Sequence, residues 1–346
     1  MLALSQLKSR SVLASEWAAT RRASPNAPVN EKLNKLASLR MVTSIHWRLD
    51  VLGECSHAGL IDLGHALRVG WVEFWYQPKI DLRNKQIIGV EMFVRARHPF
   101  HGVLSAAVLL PGADEKSLAQ LSTCAINSAL QASQRLSRLD ACLPITLNVP
   151  VATLHNLPAE LILGRQPHGD GWPGLIFDIG EDDILSDIPA LQQIAEELAE
   201  CGMKLAVDGF GRNLCSLIQS VNSSAMQEQI VEVSRRLIEL KTVSVSELKL
   251  DRTLVTNCAS ETRQAELCKI VIDLIHHIGS RAVAVGLETA TDVAALRDMG
   301  CDIGQGNYFC EPMPLEQFAA LLKSRLNKQK PAAATYERRM EWFHLS

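Results

Sequence analysis

From residue 66 onward, short apolar segments rich in β-branched residues alternate with amphipathic segments of helix length. Segments such as Leu205–Val207 and Ala282–Val285 are hydrophobic without interruption, which is typical of strands buried on both faces of a parallel sheet. The predicted strands are Phe74–Leu82, Gly89–Arg97, Pro144–Val149, Gly174–Gly180, Lys204–Phe210, Ser246–Asp251, Arg281–Leu287 and Asp302–Phe309. The predicted helices are Ser117–Leu136, Pro189–Cys201, Thr262–Ile278, Thr291–Met299 and Pro314–Leu326. About eight strands over roughly 250 residues favour an α/β fold, a (β/α)8 TIM-like barrel, over an open doubly wound sheet.

Several protein classes are disfavoured by missing signals. No Gly-x-Gly-x-x-Gly motif follows the first predicted strand and no phosphate-binding P-loop motif occurs, which weighs against dinucleotide and P-loop sites. The net charge is −3, so the overall charge does not favour a nucleic-acid partner. No apolar run approaches the roughly 18 residues that span a bilayer, and no signal peptide is recognisable, so we expect a cytoplasmic chain. The nine cysteines include no Cys-x-x-Cys pair and are expected to be reduced thiols.

The two ends of the chain differ from its centre. Residues 1–50 contain eight Lys and Arg against three acidic residues, so we predict that residues 1–65 form a basic extension, partly helical or mobile. A solvated extension and an arm that binds nucleic acid are the two interpretations of this charge. Residues 66–326 form the predicted barrel, and residues 327–346 form a C-terminal tail.

An additional amphipathic segment lies at residues 222–241, between the fifth and sixth predicted strands. Its apolar residues recur at steps of four and three, which predicts a helix with one narrow apolar stripe. The stripe consists of Met226, Ile230, Val233, Leu237 and Leu240. It either packs on the chain's own barrel or forms a surface for a dimer or another partner.

Polar residues occur near the carboxyl ends of the predicted strands, where barrel enzymes carry their functional groups. They are Glu91, Arg95, Asn148, Asp178, Glu181, Asp208, Lys249, Asp251, Glu288 and Gln305. Carboxylate and amide oxygens are ligands that Mg²⁺ and Mn²⁺ prefer. Arg95 is suited to forked binding of a phosphate, and Lys249 to a point charge. The pattern predicts a phosphoester or similar anion site at one rim of the barrel, with or without a metal.

These residues lie within motifs that resemble the EAL domain of bacterial cyclic-di-GMP phosphodiesterases. The resemblance covers about residues 66–326 and rests on eight motifs in the family's order. They are Tyr76-Gln77-Pro78, Gly89-Val90-Glu91-Met92-Phe93-Val94-Arg95-Ala96-Arg97-His98-Pro99, Leu147-Asn148-Val149, Phe177-Asp178-Ile179-Gly180-Glu181, Val207-Asp208-Gly209-Phe210-Gly211, Glu247-Leu248-Lys249-Leu250-Asp251-Arg252, Gly286-Leu287-Glu288-Thr289 and Gly300-Cys301-Asp302-Ile303-Gly304-Gln305-Gly306.

The resemblance implies a role for each matching residue. The family cleaves one phosphodiester of cyclic-di-GMP, giving linear pGpG, with two Mg²⁺ or Mn²⁺ ions that activate water and neutralise charge. It implies that Glu91, Asn148, Asp178 and Asp208 are metal ligands and that Glu91 and Lys249 are the vestiges of the catalytic set. It also implies that Gln77, Phe93, Arg95, Asp251 and Gln305 contact the nucleotide, and that Glu181 and Glu288 anchor the loop after the fifth strand.

The sequence departs from the family pattern at the metal site. The signature Glu-Ala-Leu reads Glu91-Met92-Phe93, and the first glutamate of the fourth-strand motif is replaced by Asp178. The family's paired aspartates read Asp208-Gly209, and the first glutamate of the Glu-Gly-Val-Glu motif is Val285. Losing a metal from a two-metal centre costs several kcal/mol, and about 1.36 kcal/mol is a factor of ten in rate.

We therefore expect one Mg²⁺ or Mn²⁺ or none, and hydrolysis that is absent or very slow. The leading hypothesis is a degenerate EAL domain that acts as a cyclic-di-GMP receptor, as a protein-interaction module, or as both. The alternatives are an active or weakly active phosphodiesterase and a regulator that binds proteins without a ligand. We also expect a homodimer and a regulatory protein partner. Arg212 either binds a phosphate, fills the place of the second metal, or is a solvated loop residue.

Overall fold

The structure is a computed structural model that describes residues 61–155, 172–212 and 231–329, except 182, 184–186, 232–233 and 236–237. The described strands are β1 (Val72–Asp81), β2 (Ile87–His98), β3 (Gly102–Ser105), β4 (Ile145–Asn148), β5 (Leu175–Gly180), β6 (Lys204–Phe210), β7 (Glu247–Leu250), β8 (Arg281–Ala284), β9 (Ile303–Gly304) and β10 (Met313–Pro314). The described helices are α1 (Leu63–Arg68), α2 (Ala106–Leu109), α3 (Glu115–Ser137), α4 (Val151–His155), α5 (Ile188–Glu200), α6 (Arg252–Val255), α7 (Thr262–His277), α8 (Ala290–Asp298) and α9 (Leu315–Gln329). None of these helices is both long and apolar enough to cross a membrane.

Eight strands close into a barrel, in the order β1-β9-β8-β7-β6-β5-β4-β2, because β1 pairs with both β2 and β9. The neighbours from β2 through β4, β5, β6, β7 and β8 to β9 are parallel. The predicted TIM-like barrel is therefore confirmed. One feature differs from the expectation of a wholly parallel sheet: β1 runs antiparallel to both of its neighbours. It forms a long hairpin with β2 instead of a βα unit.

Most predicted segments match described elements to within a few residues, but the strand predicted at Arg281–Leu287 ends at Ala284, and strands β3 and β10 and the short helices α1, α2, α4 and α6 were not predicted. Lys204–Phe210 is a strand over the predicted residues, whereas the predicted strand Asp302–Phe309 is reduced to Ile303–Gly304. The chain turns at Gly306, where a Cβ atom would lie 2.2 Å from the backbone nitrogen and oxygen of Leu287. That close approach of two backbone segments admits glycine alone.

Two predicted regions fall mainly outside the described residues. They are most of the extension 1–65 and most of the tail 327–346, so the predicted domain limits remain predictions. Helix α1 crosses the first limit, and α9 continues to Gln329. The additional segment 222–241 is described only in part, with residues 238–243 helical.

The core lies between the barrel strands and the surrounding helices, and it contains apolar residues from every layer, including Phe177, Leu205 and Ile272. Helix α3 shows how a helix is placed against it. The carboxylate of Asp114 accepts a hydrogen bond from the backbone N–H of Ser117 at 2.8 Å, which caps the first turn. Apolar residues such as Ile126 and Leu130 then cover the barrel wall.

A buried ionic cluster lies inside the barrel at the amino-terminal end of the parallel strands. The ammonium of Lys79 donates to Thr146 Oγ1 at 2.8 Å and contacts Glu247, whose other oxygen accepts from Arg281 Nη2 at 2.7 Å. Lys79 and Glu247 are almost fully buried, so each charge depends on the other for compensation. We call Lys79, Thr146, Glu247 and Arg281 the Lys79 cluster. Because side chains two residues apart share a face of a strand, Lys249 points into the same barrel, nearer the opposite rim.

Candidate functional site

The centre of the site is the ammonium group of Lys249, which lies inside the barrel between two carboxylates. Lys249 Nζ is 2.8 Å from Glu91 Oε1 and also forms an ion pair with Asp178 Oδ2. All three residues are 1% exposed. We call them the Lys249 cluster. A lysine in this position compensates two buried acids that would otherwise be strongly destabilising.

Neighbouring strands add Asn148 and Asp208 to this cluster. Asn148 is opposite Asp178 in the β4–β5 register, and its Nδ2 donates to Glu91 Oε1 at 3.3 Å. Asp208 lies opposite Gly180 on β6 and accepts a hydrogen bond from the backbone N–H of Gly209 at 2.9 Å. The structure thus brings together the four residues predicted as metal ligands at one end of the barrel.

The electrostatics of the site converge on Asp178. Burial is the largest cause that raises the pKa of Asp178; the ammonium of Lys249 opposes it, the carboxylates of Asp208 and Glu91 add to it, and the net pKa is about 7. Within the described residues, Asp178 Oδ1 is buried and accepts no hydrogen bond. This oxygen has the chemistry of a metal ligand, and near neutral pH it is also able to bind a proton.

The described side chains do not fit a bound metal ion in their present arrangement. No group of three His, Cys, Asp or Glu residues in the described ranges could hold one. Glu91 and Asp178 direct oxygens at the Lys249 ammonium, which supplies the positive charge between them. We therefore assign no metal-dependent step to this arrangement, and the single metal site remains a prediction.

Gly209 near the end of β6 and Arg212 in the loop after it lie in direct contact. Gly209 has φ +72, and a Cβ atom built on it would lie 2.6 Å from Arg212 Nη2. Arg212 Nε donates to Asp251 Oδ2 at 3.0 Å. Asp251 is held in turn by Thr253, whose backbone N–H and hydroxyl both donate to its Oδ1. The guanidinium therefore occupies the space where a side chain at position 209 would begin.

The two residues predicted to anchor this loop have different partners. Glu181 is buried, and its Oε2 accepts a hydrogen bond from the backbone N–H of Gly211 at 3.3 Å, which fits an anchor for the loop. Glu288 pairs instead with Arg252 at 2.5 Å, and both side chains are about half exposed. The ionic partner of Glu288 therefore lies at the start of α6, outside the loop, and its role as a loop anchor stays a prediction.

Gln77 and Gln305 contact each other at the same rim. Gln305 Nε2 donates to Gln77 Oε1 at 2.9 Å, and Gln77 Nε2 donates to the carbonyl of Cys310 at 2.8 Å. In the described part of the chain, Gln305 Oε1 is buried without a hydrogen bond. Both predicted nucleotide contacts therefore lie together, and Gln305 has acceptor capacity left for a ligand.

Arg95 and Phe93 lie on the hairpin of β1 and β2, together with a residue that sequence reasoning missed. The Arg95 guanidinium carbon lies 5.7 Å from the centre of the Phe93 ring and 6.0 Å from that of Trp75. Trp75 is the cross-strand partner of Phe93. The sequence did contain a signal for Trp75: it lies two residues before Gln77 on one strand, so the two side chains share a face of the sheet.

The apolar stripe of the additional segment is mostly outside the described residues, which include none of Met226, Ile230, Val233 and Leu237. Leu240 is described, and it is 1% exposed within the main hydrophobic core. The Leu240 side chain thus packs on the chain's own barrel, which is one of the two interpretations of the stripe, and the interface role of the stripe stays a prediction. The described part of this segment also exposes two apolar residues, Val231 and Ile238.

Comparison with known proteins identifies this arrangement. A family model described as "EAL domain" matches residues 62–239 and 234–312, which is more than half of the chain. The chain belongs to the EAL domain family. The structural neighbours agree, because the PaMucR phosphodiesterase in complex with c-di-GMP superposes with a TM-score of 0.62 at 26% identity, over 75% of this chain and 98% of that one. The FimX EAL domain from Pseudomonas aeruginosa bound to c-di-GMP has a TM-score of 0.58 at 20% identity over 72% of this chain and 94% of that one, which shows a shared fold.

The curated relatives are longer than this EAL domain protein. The bifunctional diguanylate cyclase/cyclic di-GMP phosphodiesterase MucR of Pseudomonas aeruginosa is 27% identical over 266 residues, which are 75% of this chain and 36% of MucR. The cyclic di-GMP phosphodiesterase RocR of the same organism is 27% identical over 264 residues, covering 74% of this chain and 61% of RocR. The chain thus spans between about a third and three fifths of these relatives.

Proposed function

We propose that this EAL domain binds cyclic-di-GMP at the rim around Lys249 and does not hydrolyse it efficiently. The observation that carries the proposal is the position of Arg212. Its guanidinium lies 2.6 Å from where a Cβ at position 209 would be, so the place of the family's second aspartate holds a cation. A carboxylate at this position would be a ligand for a metal, but Gly209 provides none, and the Arg212 guanidinium occupies the space where such a side chain would begin.

A second position supports the same conclusion. Val285 replaces the first glutamate of the Glu-Gly-Val-Glu motif and is fully buried in a small apolar cluster with Val283 and Ile303. An apolar side chain offers no ligand atom and no base. The two departures therefore remove an oxygen ligand from each of two different strand ends.

Ligand binding needs fewer of the family's groups, and these groups are present. Gln77 and Gln305 are joined by a hydrogen bond at the rim, and Arg95 lies on the same hairpin as Gln77. Lys249 and Arg212 add fixed positive charge near the acids. We therefore expect affinity for the cyclic dinucleotide that does not depend on a divalent cation. The c-di-GMP complexes of PaMucR and FimX, two proteins of this fold, support the choice of ligand.

Isothermal titration tests the receptor function. We expect cyclic-di-GMP to give a saturable heat with similar Kd values in Mg²⁺ and in EDTA. Arg95→Ala should weaken binding, because it removes a guanidinium that is proposed to contact the nucleotide. Arg83→Ala is the matched control, because Arg83 is an exposed arginine in the turn at the other end of the same hairpin. No heat at high micromolar ligand contradicts the receptor function and leaves the regulator that binds proteins without a ligand.

An active phosphodiesterase is the second candidate function. It is favoured by Glu91, Asn148, Asp178 and Lys249, which lie together, and by the phosphodiesterase names of MucR and RocR. Incubation with Mn²⁺ and chromatography for pGpG tests it. Turnover that Glu91→Ala abolishes would overturn the receptor proposal in favour of the enzyme.

We further propose that this domain forms a homodimer whose interface is modified by the segment 222–241, and that it binds a regulatory protein partner. The support is the stripe of apolar residues in the sequence of that segment, including Ile230 and Leu237. Light scattering on Ile230→Glu and Leu237→Glu proteins tests the dimer. An unchanged mass in proteins with intact circular dichroism contradicts this role.

A further inference from the structure

The hairpin of β1 and β2 carries one continuous face from the barrel interior to beyond its rim. In its register Gln77 is opposite Glu91, Trp75 is opposite Phe93, and Glu73 is opposite Arg95. Side chains at every second position share a face, so these six residues form three successive pairs on the same side. The first pair is buried at the site, whereas Trp75, Phe93 and Arg95 are only partly buried. This face therefore leads from the proposed phosphate site outward.

The Trp75 ring is fixed in orientation before any ligand binds. Its indole N–H donates to Glu73 Oε1 at 2.8 Å. Glu73 is held by two hydrogen bonds from Arg97, from Nε at 3.0 Å and from Nη2 at 2.8 Å. The charge of Glu73 is thus compensated by Arg97, while Arg95 lies over the Trp75 and Phe93 rings within about 6 Å, the range of a cation–π contact.

Trp75 and Phe93 differ from the other partly buried aromatic residues nearby. Trp71, Phe74 and Phe309 pack against the hydrophobic clusters of the fold. Trp75 and Phe93 instead face each other across the two strands, and the Arg95 guanidinium lies over both rings. Gln77, which is hydrogen-bonded to Gln305, is the next residue of this face on β1. Aromatic rings and guanidinium planes stack on nucleobases. Because every base has a π-face, such a ring stacks on any of them.

We propose that Trp75 is a base-stacking residue of this site and that it, Phe93 and Arg95 together hold a purine of the bound cyclic dinucleotide. The indole, fixed through Glu73 and Arg97, offers a large π-face, and Arg95 is pre-oriented by the two rings. Because the ring is already ordered, stacking loses little side-chain entropy. The proposal rests on the proposed receptor function and names the residue that supplies its base affinity.

Two substitutions at Trp75 and one control test this role by titration with cyclic-di-GMP. Loss of one aromatic–base stack lowers affinity about fivefold to 150-fold, so we expect that rise in Kd for Trp75→Ala. Trp75→Phe keeps a ring and should stay within about fivefold of the wild type. The control is Trp71→Phe, on the same hairpin, because Trp71 packs edge-on against His65 and His98 away from the site. It should leave Kd unchanged.

Fluorescence gives a second readout that does not depend on the alanine variant folding. Stacking on the indole should quench tryptophan emission when cyclic-di-GMP binds, in the wild type and in Trp71→Phe. The quenching should disappear in Trp75→Phe, which still binds. Wild-type affinity in Trp75→Ala, or quenching retained in Trp75→Phe, overturns the stacking role and leaves the receptor function intact. Absence of any binding by the wild type overturns both.

Discussion

Replacing Gly209 by alanine tests whether the Arg212 guanidinium fills the place of an acidic side chain. The backbone at Gly209 has φ +72, and the left-handed conformation costs an L-residue about 1–2 kcal/mol. The new Cβ would meet Arg212 Nη2 at 2.6 Å, so the guanidinium must move. Its 3.0 Å ion pair with Asp251 would then be lost.

The size of the effect follows from these two contributions. The Arg212 side chain is 39% exposed and that of Asp251 is 11%, so solvent screening keeps the ion pair to about 0.2–1 kcal/mol. Together with the backbone contribution, Gly209→Ala should lower the free energy of unfolding by about 1–3 kcal/mol. Urea denaturation monitored by circular dichroism measures this change as a shift of midpoint at constant slope.

A double-mutant cycle separates the steric part from the backbone part. With Arg212→Ala already in place, alanine at 209 has no guanidinium to displace, so its cost should fall to the backbone contribution alone. Residues in contact show coupling of about 0.5–3 kcal/mol, and we expect the lower end here. Strict additivity of the two single substitutions would refute the reasoning, because it would mean that the two side chains do not compete for one space.

The same pair has a functional counterpart. Gly209→Asp restores a carboxylate beside a cation, so the new acid should pair with Arg212 and remain unable to bind metal. Gly209→Asp combined with Arg212→Ala removes that competitor. We expect Mn²⁺ to raise the melting temperature of the double variant and to leave that of Gly209→Asp unchanged. An equal shift in both proteins contradicts the view that the guanidinium replaces a metal-bound acid.

Three further predictions concern the stability of the fold. Lys79→Met leaves Glu247 buried with Arg281 alone and should cost about 3–5 kcal/mol, whereas Lys79→Met with Glu247→Leu should recover most of it in urea denaturation. Lys79 and Arg281 hold the pKa of Glu247 below its usual value against the effect of burial, so the folded state binds fewer protons there than the unfolded state. The contribution of the Glu247 carboxylate to the free energy of unfolding is complete above its pKa in the unfolded state and is lost as the pH falls through its pKa in the folded state. The urea midpoint should therefore fall less steeply between pH 7 and pH 3 in Glu247→Gln than in the wild type. Asp114→Ala removes the cap at Ser117 and should cost about 0.5–2 kcal/mol, measured in the same way, and an unchanged midpoint would contradict the cap.

The barrel was predictable from the sequence because its strands carry a local signal. Lys204–Phe210 is apolar enough to require burial on both faces, and the helix that precedes it ends before Gly202. The direction of β1 also had a local signal, which the prediction of a wholly parallel sheet overlooked. Only six residues separate the predicted strands Phe74–Leu82 and Gly89–Arg97, and a parallel crossover needs a dozen or more, so only an antiparallel hairpin fits. The last strand was predicted too long because its limit depends on the approach of Gly306 to Leu287, which is a distant contact.

The site residues show the same division between local and non-local information. The motifs located Glu91, Asp178 and Lys249, and strand geometry is sufficient to bring them to one end of a barrel. The pairing of Glu288 with Arg252 and the contact of Trp75 with Arg95 depend on register and loop packing between separate elements. Such contacts are set by tertiary structure, and a single sequence does not contain them.

The chemistry of a side-chain cation explains why binding and hydrolysis separate in the proposed function. An ammonium or guanidinium compensates acids at the rim and attracts a phosphate through its charge, as a metal ion does. A metal ion also has open coordination positions, at which it lowers the pKa of water from about 15.7 to about 7 and produces a nucleophile. Lys249 and Arg212 lack such positions, so they cannot activate water in this way. Charge supplied by residues that are part of the chain therefore fits the proposed receptor for an anionic ligand, at a rim where Arg212 lies beside Gly209 and Val285 offers no ligand atom.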